Sequence, residues 1–149
     1  MTYRSRITAD PAYIQALGQA VYDFTYLEWV VIWTIVKLSP DGFESIPKGA
    51  TAGKIASALE KAIGGASPPL PNNLRGALVK FSESYRYALR IRNKLLHAHP
   101  YTASDGLPRL LAGDHNWSVE KVKAAAKLFD DAASMGNAIF HGDLAEARP

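Results

Sequence analysis

The segment from Leu74 to Leu96 repeats apolar side chains at the spacing of an amphipathic α-helix. At about 100° per residue, one stripe of this segment holds a run of apolar residues, namely Leu74, Leu78, Phe81, Tyr85, Ala88, Leu89, Leu95 and Leu96. Arg92 falls in the middle of that stripe. Because a buried guanidinium is unfavourable unless it is paired, an arginine on the inner face of a helix predicts either a partner or a functional site.

Three further segments show helical periodicity. We predict a first helix from Asp10-Pro11 to Leu38, a second from Thr51 to Ile63, and a last helix that Ser118 caps; the segment that contains Arg92 is the third helix, from about Asn73 to Leu96. Residues 100–117 are predicted to form a hairpin or an irregular loop. The predicted fold is therefore all-α, a bundle of four to five helices. The inner stripe predicted for the first helix holds Ile14, Leu17, Val21, Phe24, Glu28, Val31 and Ile35.

The first helix is apolar nearly all the way round. The side opposite its predicted inner stripe also carries large apolar residues, namely Tyr13, Tyr26, Trp29, Val30 and Trp33. A helix of this kind is expected to pack on its own core with one side and on a partner surface with the other.

Length and composition limit the class of protein. A chain of 149 residues is typical of a single domain, so we treat residues 1–149 as one unit. Cysteine is absent, which excludes disulfide bonds, a thiolate nucleophile and cysteine-ligated metal. The sequence has neither the hydrophobic region of a signal peptide nor the roughly 20 apolar residues of a membrane span, so we expect a cytoplasmic protein without membrane association.

Positive charge is concentrated on the predicted third helix. Residues 75–94 contain six basic residues and the single acid Glu83; the bases are Arg75, Lys80, Arg86, Arg90, Arg92 and Lys94. Such a patch suits a polyanion, and an interleaved tyrosine could stack on nucleic-acid bases. A solvated basic helix face is the alternative. The residues that we predict to contact a polyanion are Tyr85, Arg86, Arg90 and Lys94.

At Arg92-Asn-Lys-Leu-Leu-His97 the chain resembles the HEPN superfamily (higher eukaryotes and prokaryotes nucleotide-binding). Members of this superfamily are small helical bundles, and many are RNases of toxin and defence systems. The family motif is an arginine, a polar residue that is often asparagine, and a histidine after four to six intervening residues. Arg92, Asn93 and His97 match this motif, with four residues between the arginine and the histidine. The long first helix, the hairpin or loop after the motif and the closing helix agree with the family layout.

The resemblance implies a metal-independent endoribonuclease that needs no cofactor and acts on RNA, not DNA. His97 would deprotonate the ribose 2′-OH or protonate the leaving 5′-oxygen, because an imidazole with a pKa near ~6.5 can do either. Arg92 would hold the scissile phosphate and offset its developing charge. Asn93 would orient the imidazole or the phosphate. The basic residues of the third helix would then contact RNA.

The resemblance also implies protein partners. Two copies of the family motif commonly meet across a homodimer interface and form a composite cleft. We therefore expect a homodimer, and a cognate antitoxin if the protein is a toxin.

Other interpretations of the same residues stay open. Glu28 lies on the predicted inner stripe of the first helix, so Glu28 and Arg92 could form a buried ion pair that supports the site or only fixes helix register. Such a pair would not exclude catalysis, because a paired arginine can still present one edge to a phosphate. Two other functions stay open: a non-catalytic HEPN-like module that binds RNA, a nucleotide or a protein partner, and a structural helical interaction domain in which the pair fixes helix register. His97-Ala-His99 is half of a metal site, but no third ligand lies at a recognised spacing, so no metal is predicted.

Overall fold

The computed structural model describes residues 9–149 and shows a mainly helical fold with one small β-sheet. Its helices are α1 (Pro11–Leu38), α2 (Ala52–Gly64), α3 (Asn72–Leu96), α4 (Val119–His141) and the short α5 (Asp143–Ala147), with a 3₁₀ turn at Gly42–Ser45. Strands β1 (His99–Thr102), β2 (Pro108–Ala112) and β3 (His115–Trp117) separate α3 from α4. The prediction of a fold built mainly from helices is confirmed, whereas the small sheet departs from the predicted all-α class. Within residues 9–149, no helix combines the length and the hydropathy needed to cross a membrane.

The helix starts predicted from capping residues are confirmed. Asp10, Thr51 and Ser118 each accept a hydrogen bond from the backbone N–H three residues later, at 3.0, 3.4 and 3.2 Å respectively. Each bond satisfies an amide group that the first turn of a helix leaves free. Short-range hydrogen bonding thus determines where α1, α2 and α4 begin.

α1 and α4 pack through small side chains, and this packing decides which face of α1 is buried. The small buried residues are Ala16 and Ala20 on α1 and Ala125, Ala126, Ala132, Ala133 and Gly136 on α4. Small side chains let two helices approach closely, so the face that enters the core need not carry the largest apolar residues. The predicted inner stripe of α1 is therefore wrong at Ile14 and Val21, which are 54% and 47% exposed. Tyr13 and Val30, predicted on the opposite side, are buried.

The predicted stripe of α3 is confirmed apart from its last residue. Its residues from Leu74 to Leu89 and Leu95 are buried. Leu96 is 47% exposed instead, because α3 ends there and the chain turns away into β1.

The chain between α3 and α4 forms a three-stranded antiparallel sheet: β1 and β2 make a hairpin, which is one of the two predicted alternatives, and β3 adds a strand that was not predicted. β2 lies in the middle, and its Leu111 faces His99 of β1 on one side and Asn116 of β3 on the other. Gly106 and Gly113 make the two turns at positive φ, 81° and 63°, which glycine adopts without steric conflict. The third strand escaped prediction because its three residues are too few to show a period of two.

Gly136 offers a test of the close helix packing. A Cβ at this position would come within 2.8 Å of Val30 Cγ1 and closer still to the ring of Phe81. Alanine favours a helix by up to about 1 kcal/mol over glycine, but overpacking a core costs roughly 1–3 kcal/mol. We therefore expect Gly136→Ala to lower the free energy of unfolding by roughly 1–2 kcal/mol, measured by urea denaturation.

Gly76→Ala in α3 is the matched control. A Cβ there would meet no atom within 4 Å, so this substitution should raise the free energy of unfolding by up to about 1 kcal/mol. Changes of the same sign at both glycines would contradict the packing argument.

Candidate functional site

Arg92, Asn93 and His97 lie together at the C-terminal end of α3. His97 caps the helix, and its backbone N–H donates a hydrogen bond to the carbonyl oxygen of Asn93 at 3.0 Å. Asn93 and His97 are therefore one turn apart on the same side of α3. The side chain of His97 is exposed, whereas Arg92 and Asn93 are half-buried. The three residues of the predicted motif thus share a helix end that faces solvent.

An amide and an aromatic ring hold the guanidinium of Arg92. Its Nη1 donates a hydrogen bond to Asn93 Oδ1 at 2.9 Å, and its Cζ lies 5.4 Å from the centre of the Phe24 ring. The second contact is a cation–π interaction. Across residues 9–149, no carboxylate oxygen lies within 4.0 Å of the Arg92 nitrogens. Arg92 is thus oriented without being neutralised.

Glu28 bonds to a tyrosine. Its Oε2 accepts a hydrogen bond from the hydroxyl of Tyr85 at 2.9 Å, and the same hydroxyl lies 3.4 Å from the carbonyl oxygen of Ala52. Burial, together with the neighbouring Glu28 carboxylate, raises the pKa of Tyr85 above its ordinary value, so the hydroxyl stays protonated and remains a donor. Among the described residues, the ion pair between Glu28 and Arg92 is not formed.

An aromatic cluster lies beneath Arg92. The ring of Phe24 stacks on Tyr85, with centroids 6.0 Å apart, and meets Phe129 edge-on at 5.3 Å. The ring that contacts the guanidinium is therefore held by residues from α3 and α4. This packing positions Arg92 at the rim of the core.

The β-sheet holds the site end of α3 against the start of α1. Trp117 Nε1 donates a hydrogen bond to the carbonyl oxygen of Lys94 at 3.3 Å, and the carbonyl oxygen of Trp117 accepts one from the Tyr13 hydroxyl at 2.8 Å. The Tyr13 oxygen accepts a further bond from the Leu110 N–H at 3.1 Å. Sequence reasoning missed this contact between elements. The one feature of the sequence that could have indicated this contact is the presence of Tyr13 and Trp117, because the polar atoms of a buried tyrosine or tryptophan need hydrogen-bond partners.

Arg109 joins the same end of α1 to β2. Its Nη1 lies 2.7 Å from Asp10 Oδ2, and its Cζ lies 4.6 Å from the centre of the Tyr13 ring. The hydrogen bond from Arg109 lowers the pKa of Asp10. Asp10 thus caps α1 with one oxygen and binds Arg109 with the other.

The four residues predicted to contact RNA differ in their availability. The structure corrects the role predicted for Tyr85, because its fully buried ring cannot stack on a base. Arg86 makes a bidentate ion pair with Glu60, at 2.7 and 2.9 Å, which occupies its guanidinium. Arg90 and Lys94 are exposed. Two of the four side chains therefore remain free to meet an anion near the motif.

His115 is a further imidazole near this helix end. Its ring lies edge-on to Trp117, with centroids 4.7 Å apart, and Trp117 in turn bonds to Lys94. Burial lowers the pKa of His115, and the positive charges of Lys94 and Lys121 lower it further. The His115 imidazole is therefore neutral at pH 7. The sequence pattern contains no signal that would place it there.

No family model, curated protein or solved structure matches the chain. Within residues 9–149, no group of three or more histidine, aspartate or glutamate side chains is arranged to hold a metal ion.

Tyr85→Phe tests the bond that satisfies Glu28. A hydrogen bond to a charged group contributes about 1.5–3 kcal/mol, and the half-exposed carboxylate reduces this value. We expect the variant to lose about 1–2 kcal/mol of unfolding free energy in urea denaturation at pH 7. Tyr87→Phe, at a 47% exposed position of α3, is the control and should change stability by less than about 0.5 kcal/mol. Equal losses in the two variants would contradict this account.

Proposed function

We propose that the protein is a metal-independent endoribonuclease of the HEPN type, with Arg92, Asn93 and His97 as its site. The observation that carries the proposal is the state of Arg92. Its helical phase turns it toward the core, yet its partners are an amide oxygen and an aromatic ring, with no carboxylate within 4.0 Å among residues 9–149. A guanidinium held in this way keeps N–H donors for a phosphate.

The roles of the three side chains follow from their chemistry. His97 would take the proton of a ribose 2′-OH, whose oxygen attacks the adjacent phosphorus while the bond to the 5′-oxygen breaks. The products are a 2′,3′-cyclic phosphate and a 5′-hydroxyl, whose proton comes from a second acid. Arg92 would offset the negative charge that develops on the phosphate oxygens. Asn93 holds Arg92 with its side-chain oxygen and keeps its NH₂ group to orient the phosphate.

Two observations favour this function over a purely structural one. A scaffold whose register depended on Arg92 would pair it with Glu28, but Glu28 bonds to Tyr85 instead. His97 is exposed, so its imidazole is open to a substrate. Both observations favour a site that is open to a ligand.

The active form that we propose is a homodimer, paired through the surface beside Arg92. Ile14, Val21 and Leu96 are exposed apolar residues. Val21 lies one turn before Phe24, whose ring contacts Arg92, and Leu96 lies one turn after Arg92. A second copy that covered these residues would remove apolar surface from water and bring two motifs to one interface. The His97 of the second copy would then supply the acid.

Cleavage of labelled single-stranded RNA in EDTA tests the catalytic proposal. We expect the wild type to leave cyclic phosphate ends, and His97→Ala and Arg92→Ala each to lower the rate by about 100-fold or more. His99→Ala removes an exposed histidine two residues from His97 and is the matched control, which should keep wild-type activity. Activity that persists in His97→Ala would overturn the site. No cleavage of a broad RNA pool by the wild type would favour the non-catalytic binding module.

Val21→Glu tests the composite site. Because a charge in the proposed interface cannot be buried unpaired, this variant should sediment as a monomer and lose RNA cleavage, while its circular dichroism is unchanged. Val79→Glu is the control. It places the same charge at an exposed apolar position of α3, outside the proposed interface, and should stay dimeric. A Val21→Glu variant that remains dimeric would refute the interface. A monomeric variant with full activity would refute the need for two motifs.

A further inference from the structure

A second apolar surface lies on the outer side of α1, away from its buried face. Tyr22, Tyr26, Trp29, Trp33 and Val36 follow one another at alternating spacings of four and three residues, and we call them the outer seam. The first four are 68%, 44%, 50% and 39% exposed, and Val36 is half-buried. A repeat of about 3.5 residues is the spacing at which one helix packs along another. An exposed row of large apolar side chains at this regular spacing indicates an interaction site.

The outer seam forms one wall of an open groove, and the end of α4 forms the other. Tyr26, Trp29 and Trp33 line a cavity of about 340 Å³ together with Asn137 and Phe140 of α4. The Tyr26 hydroxyl accepts a hydrogen bond from Asn137 Nδ2 at 2.9 Å, and the two indole rings meet edge-on at 5.7 Å. These contacts hold the aromatic walls in place, so the groove is formed before anything binds to it.

The groove ends at two positive charges. A second cavity of about 520 Å³ shares Trp33 and Phe140 with the first and continues to Lys37 and Arg148. In the described part of the chain, no carboxylate lies within 4.0 Å of either cation. Among residues 9–149, the guanidinium of Arg148 donates only to the backbone carbonyl oxygens of Ala147 and Pro68. The charge at this end is therefore available to an anionic group.

We propose that the groove binds an amphipathic helix of a partner protein, whose apolar side chains lie on the outer seam and whose acidic side chain faces Lys37 and Arg148. The seam spacing indicates a helix, since an extended strand presents its side chains every second residue. The basic end selects a helix with an acid at that point. The inference stands apart from the proposed ribonuclease, because its residues do not belong to the Arg92 site.

The charge pattern favours a different protein over a second copy of this chain. If two outer seams paired about a two-fold axis at Trp29, Lys37 of one copy would lie beside Tyr22 of the other. The acid nearest to that position is Asp23, whose Oδ1 already accepts a hydrogen bond from Gln19 at 2.7 Å. A helix whose acid lies opposite Lys37 and Arg148 therefore complements this end of the groove better than a second copy of the seam does.

A pair of synthetic helices tests the proposal. Each probe has 21 residues, with leucine at 3.5-residue spacing and alanine or glutamine elsewhere; one carries two glutamates in its last turn and the other two lysines. Trp29 and Trp33 are exposed and report binding by fluorescence, whereas Trp117 is buried. We expect the acidic peptide to shift the emission to shorter wavelength and to bind about tenfold or more tightly than the lysine peptide. No binding of either peptide, or equal binding of both, would overturn the proposal.

Variants distinguish the parts of the groove. Lys37→Glu replaces one of the two cations by an anion while Arg148 keeps its charge, so the preference between the two peptides should disappear; an unchanged preference would refute the role of the basic end. Trp33→Glu should abolish binding of both peptides; Tyr22→Glu, at the most exposed seam position, serves if Trp33→Glu fails to fold. Val79→Glu, outside the groove, should bind as the wild type does. If the seam variants dissociate a dimer of the protein in sedimentation, the seam belongs to a second copy and the proposal is wrong.

Discussion

The close packing of α1 against α4 through alanine and glycine determines which face of α1 is buried and which faces stay exposed. Ala16 and Ala20 are buried on α1, the buried residues of α4 are mostly small, and Gly136 of α4 comes so close to Val30 of α1 that a Cβ would not fit between them. The larger apolar residues then fall on two other faces. One carries Ile14 and Val21, and the other carries the aromatic outer seam. A single packing choice thus produces both surfaces that we propose as interfaces.

The packing of α1 also places Phe24 and Glu28 next to the residues that surround Arg92. Phe24 enters the core between α3 and α4, where its ring supports Arg92. Glu28, one turn later on α1, meets the hydroxyl of Tyr85. Because this hydroxyl satisfies the carboxylate, Arg92 is left to Asn93, and its charge remains available at the helix end. The pairing of Glu28 and Tyr85 therefore matters to the site although neither residue would touch RNA.

Much of the fold follows from short stretches of sequence. The caps at Asp10, Thr51 and Ser118, the stripe of α3 and the place of the motif at its end depend on residues within a few positions of one another. The phase of α1 could not be predicted in this way, because a helix that is apolar all round has no polar face to orient it. β3 is too short for its alternation to be visible. Tyr85 shows the same limit, since one residue satisfied both a core pattern and a nucleic-acid pattern, and only its burial distinguishes the two.

Local sequence specifies the helices, their starting points and the meeting of Arg92, Asn93 and His97 at one helix end, since hydrogen bonds and side chains within one or two turns are sufficient for each. Contacts between distant parts of the chain specify the rest. Glu28 bonds to Tyr85, Trp117 bonds to Lys94, and two faces of α1 stay exposed. These outcomes depend on which helices pack together and how closely they do so.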